Sequence, residues 1–62
     1  MAAMKSFLRQ DIAWHAGWSF INLCALFGML FTGDVFAASF GALGAIVHTI
    51  SAARAAAELY AL

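Results

Sequence analysis

The sequence predicts an all-α fold: an integral membrane hairpin of two transmembrane helices with a cytoplasmic helical C-terminal tail. Three observations carry this. Two apolar runs, 12–31 and 35–53, are separated only by Thr32-Gly33-Asp34. Each run matches the ~20 residues a helix needs to cross a bilayer. The 62 residues are 66% hydrophobic and contain no proline, with a mean hydropathy of +0.94. A water-soluble chain this short barely builds a core and usually adds disulfides or a metal. Here Cys24 stands alone, so no internal disulfide forms, and it is expected to pack as a small apolar residue.

Segment 1–11 is expected to be a short amphipathic lead at the cytoplasmic interface. Phe7 and Leu8 sit at headgroup level while Lys5 and Arg9 reach the phosphates. Asp11 is expected to cap the first transmembrane helix, 12–32. Trp14 and Trp18 follow within its first two turns as interfacial anchors, with Lys5, Arg9 and Arg54 as their charged counterparts.

The turn falls at 33–34. Gly33 stops the first helix, because glycine enters the left-handed region at little cost, and Asp34 caps the second. The second transmembrane helix covers 35–53, and 54–62 continues as the Ala-rich helical tail. All three Lys/Arg lie on the side of the termini and none in the turn. The positive-inside rule therefore places both termini in the cytoplasm, in a bacterial inner membrane, with the Asp34 tip outside. A signal-peptide reading of Met1–Phe31 competes, with Val35-Phe36-Ala37 as a small-residue cleavage site. The uncleaved hairpin is the expectation carried forward.

Small residues dominate the second span. Ala37, Gly41 and Ala45 recur every four residues, as do Ala38 and Ala42. Phe40, Gly44, His48, Ala52 and Ala56 form a third row. The first span offers Ala13 with Gly17 and Cys24 with Gly28 as matching notches. Such rows let helices approach closely in lipid, where packing replaces the hydrophobic effect. One row suffices to close the hairpin, so several imply that further faces meet other helices.

His15, Ser19 and Asn22 share one helical face. In hydrocarbon this stripe must face protein, a cofactor or water. Counting from the loop at ~1.5 Å per residue, His48 lies ~21 Å up its helix, between Asn22 at ~17 Å and His15 at ~28 Å. His48 is thus expected to bond Asn22 or Ser19, with Thr49 adjacent, and His15 to be wetter. Two other readings stay open. His48 could meet a polar group of a neighbouring subunit. It could also be an axial ligand to haem or (bacterio)chlorophyll, with Gly44 and Ala52 leaving room for the macrocycle.

Catalysis finds little support, since no span carries an acidic pair and no Cys/His set has metal spacing. Six charged side chains and zero net charge offer no patch for nucleic acid.

The Gly44-Ala45-Ile46-Val47-His48 segment resembles the small-x-x-x-His element of purple-bacterial antenna polypeptides. That resemblance implies a bacteriochlorophyll on His48. The layout also resembles the small bacterial two-transmembrane (2TM) domain, with an Asn in the first span matched by Asn22 and a Gly-x-x-x-His matched by Gly44 and His48. The expected function is a small non-catalytic accessory subunit. It would pack among lipids on other integral membrane subunits of a larger respiratory or photosynthetic complex. The alternatives are a pigment- or haem-binding subunit, a self-assembling membrane oligomer and a small regulator.

Overall fold

The computed structural model describes residues 2–62, so Met1 lies outside the described residues. Two helices, α1 (Ala2–Phe31) and α2 (Val35–Ala61), fold back on one another as a hairpin. The hairpin measures 47 × 13 × 10 Å. Its long axis exceeds the ~30 Å hydrocarbon thickness of a bilayer. With no proline to interrupt it, α1 starts well before the apolar run. This corrects the role expected of Asp11. It sits inside the helix, where the first-turn donors are out of reach, and it meets His15 Nε2 at 3.4 Å instead. The second helix also continues unbroken through Arg54 to Ala61.

The reversal is a Schellman turn. Gly33 has φ +81°, the left-handed conformation that closes a helix. Its N–H donates to the Leu30 carbonyl at 3.1 Å, and the Asp34 N–H donates to the Met29 carbonyl at 2.9 Å. The Asp34 carboxylate then accepts from the Ala37 N–H at 3.0 Å and caps α2. One short segment ends the first helix and starts the second.

That turn also sets the register. The Asp34–Met29 bond draws the start of α2 back alongside the last turn of α1. Two helical turns farther along each helix, Gly41 lies against Asn22. After two more turns, His48 meets His15. A third step brings Ala55 level with Leu8, and both are buried. Steps of about seven residues keep one seam facing the partner helix.

The seam is made mainly of small and polar groups, with Leu8, Ile12 and Leu26 among them. Leu8 and Ser19 are buried on α1, and Ala38, Gly41, Ala45 and Ala55 on α2. Ile12, His15, Asn22 and Leu26 are half-buried between them. A Cβ built on Gly41 falls 2.9 Å from the Asn22 carbonyl oxygen and 2.9 Å from the Leu26 nitrogen. Glycine there brings the two backbones together.

Most of the large apolar side chains, Leu8, Ile12 and Leu26 apart, point away from the seam. Phe20, Phe27, Phe31, Phe36, Phe40, Leu43, Ile46 and Val47 are all exposed. Only 6% and 17% of the most apolar windows of α1 and α2 are buried within the chain. The core helix of a soluble protein is instead mostly covered. Both helices are long and apolar enough to cross a membrane.

Candidate functional site

Most polar side chains of the two apolar runs gather on the seam around the middle of the hairpin, among them His15, Ser19, Asn22 and His48. His15 Nδ1 and His48 Nδ1 lie 2.9 Å apart. A hydrogen bond at that distance needs one ring to donate and the other to accept. The Asp11 carboxylate stands one turn away on the other nitrogen of His15. The Trp18 indole lies nearly parallel to the His48 ring, with centroids 6.3 Å apart and planes inclined by 25°.

One turn nearer the loop, the Ser19 hydroxyl is 2.8 Å from the Thr49 hydroxyl and 3.3 Å from the Ala45 carbonyl, to which it donates. Asn22 turns its amide back along its own helix, and Nδ2 donates to the Trp18 carbonyl at 2.7 Å. Ser39 does the same to the Val35 carbonyl at 2.9 Å. Among the described residues, every buried side-chain polar atom has a hydrogen-bond partner. That is what a low-dielectric surrounding demands.

The geometry revises the expected pairing of His48. It bonds His15, not Asn22 or Ser19. Counting depth from the middle of the loop places the histidines ~7 Å apart along the helices. The Schellman turn removes that offset, because it overlaps the last turn of α1 with the start of α2. His15 is correspondingly drier than expected, with its side chain 22% exposed.

The expected packing rows are redistributed too. Gly41 and Ala45 are buried, Ala37 and Gly44 are half-buried, and Ala38 is the most buried of the set, at 2% exposed. The seam advances by alternating three and four residues and so crosses the four-residue rows. Gly17 and Gly28 do not notch against α2, because a Cβ on either one meets nothing within 4 Å. With Ala13 and Cys24 they are exposed, on the side of α1 opposite the seam. The anchors are placed unevenly. Trp14 is exposed and packs edge-to-face on Trp18 at 5.7 Å, whereas Trp18 also covers His48. Lys5 is half-buried, and Arg9 and Arg54 are exposed.

The room expected beside Gly44 is filled in this fold by the Asn22 carboxamide, into which a Cβ on Gly44 would fall, and the Trp18 indole lies against the His48 ring. Among the described residues, no group of three or more His, Cys, Asp or Glu side chains is placed to hold a metal ion.

Sequence reasoning missed Asp11 as the partner of His15, and Leu8 and Ala55 as seam residues. The signal for the seam was present. Leu8, Ile12, His15, Ser19, Asn22 and Leu26 are spaced by alternating four and three residues, the period of a helix that keeps one face on a partner.

Comparison of the chain with protein-family models, with curated proteins and with solved structures finds no match.

Proposed function

We propose that this chain is a small non-catalytic accessory subunit of a larger membrane complex. It inserts in a bacterial inner membrane as a hairpin, with both termini cytoplasmic. It packs on the lipid-facing side of its host and stabilises it. One observation carries this reading. Among the described residues, every buried side-chain polar atom is satisfied inside the chain, while the face of α1 opposite the seam presents Ala13, Gly17, Cys24 and Gly28 to open space. Small residues on an outer face permit close approach of another helix. Lys5, Arg9 and Arg54 support the orientation, because they fall at the end of the hairpin where the termini meet. The choice of a respiratory or photosynthetic host rests on analogy, since energy-transducing complexes commonly carry subunits of this size.

Extraction in mild detergent, followed by sizing and mass spectrometry, tests the proposal. The parent chain should migrate with other integral membrane subunits. Gly17→Leu combined with Gly28→Leu should release it, because both positions are clear of the hairpin's own seam. Recovery of the chain alone, or only with copies of itself, contradicts the accessory-subunit reading.

A further inference from the structure

We propose that His15 and His48 form a pH-sensitive latch that holds the terminal half of the hairpin closed. The inference goes beyond the accessory role and does not depend on it. It stands on the facing Nδ1 atoms, 2.9 Å apart across the seam. Between two neutral rings, one Nδ1–H donates to the other Nδ1 lone pair. When one ring is an imidazolium the bond persists and becomes charge-assisted. The Asp11 carboxylate faces the Nε2 of His15 at 3.4 Å.

When both rings are protonated the contact fails. Two N–H groups then point at each other, and two positive charges face one another across the seam. Asp11 is the one carboxylate in contact with the pair, and it can offset only one ring. The other groups beside the pair are neutral: the Trp18 indole stacked on His48, and Thr49 next to it in the chain. The remaining charged groups toward this end are Lys5 and Arg9 on α1 and Arg54 and Glu58 on α2. Double protonation therefore breaks the hydrogen bond across the seam, and acid favours the open form.

The fold confines the opening. Toward the loop, the Ser19 bond to the Ala45 carbonyl, the Gly41 contact and the Schellman turn contain no group that titrates near neutrality. Toward the termini, Leu8 and Ala55 are the buried apolar groups that remain. Loss of the histidine bond thus frees the ends of both helices and leaves the loop half paired.

The test uses the full chain in lipid nanodiscs, with Cys24→Ala and spin labels attached through Ser6→Cys and Ala57→Cys. Both label sites are exposed, and they lie level across the hairpin. On acidification from about pH 8 to about pH 4.5, the range that spans imidazole titration, the distance distribution should widen reversibly. Labels attached through Phe31→Cys and Phe36→Cys, beside the loop, should not move. His48→Gln should abolish the widening, because its amide donates and accepts without charging. His15→Gln should do the same. Asp11→Asn should retain the widening. An unchanged distribution in the parent, or equal widening in the Gln variants, overturns the latch. Nitrogen NMR of the imidazoles reads the shared proton without any substitution. One Nδ1 should be protonated and the other bare at neutral pH, and two bare Nδ1 atoms would equally overturn it.

Discussion

His15 and His48 meet Nδ1 to Nδ1 at 2.9 Å, although 33 positions separate them in the chain. The contact follows from the turn. The Asp34 N–H on the Met29 carbonyl fixes where α2 begins beside α1, and helical geometry carries that register two turns at a time to the histidines. A local backbone motif at one end thus decides which polar groups pair far from it.

If the pair acts as an interhelical hydrogen bond, a double-mutant cycle should reveal it. His15→Ala and His48→Ala should each destabilise the hairpin, with a coupling of about 0.6–2 kcal/mol at neutral pH. Reversible unfolding in detergent measures it. A coupling near zero would show that the rings are neighbours without a bond.

Glycines should divide sharply by face. Gly41→Ala puts a Cβ 2.9 Å from α1 backbone atoms that cannot move independently, and should cost about 1–3 kcal/mol by overpacking. Gly17→Ala and Gly28→Ala meet open space. They should be neutral, or stabilise the isolated hairpin by up to about 1 kcal/mol through helix propensity. The same unfolding assay ranks all three.

The turn should be sensitive at two adjacent positions for different reasons. Gly33→Val forces a β-branched residue to φ +81° and should cost more than about 1 kcal/mol. Asp34→Ala removes the acceptor for the Ala37 N–H and should cost about 0.5–2 kcal/mol. Gly33→Asn should be milder than Gly33→Val, since Asn tolerates the left-handed region better. Equal effects of the two Gly33 substitutions would argue against backbone strain as the cause.

The hairpin was legible because two physical requirements leave strong marks. A long apolar run announces a helix of membrane length, and Gly33-Asp34 announces a stop followed by a cap. The polar stripe His15, Ser19 and Asn22 was legible as one face for the same reason of period. The partner of each member was not. Pairing depends on register, and a one-turn overlap in the Schellman turn moves every cross-helix contact. The small residues of α2 were ambiguous on their own terms. Ala37, Ala38, Ala42 and Ala45 are chemically identical, so only the facing helix selects Ala38 and Ala45 for burial. Asp11 was obscured by its position. Its suitability as a cap hid the fact that α1 was already two turns old when it reached Asp11.

Membrane insertion as a hairpin underlies every other proposal, and accessibility labelling tests it most directly. In a Cys24→Ala background, single cysteines at Ala2→Cys and Asp34→Cys are probed with an impermeant thiol reagent on intact cells. If the proposed orientation holds, with Lys5, Arg9 and Arg54 on the cytoplasmic side, position 34 should label from outside and position 2 only after permeabilisation. Labelling of position 2 on intact cells, or protection of position 34, would contradict the proposed insertion.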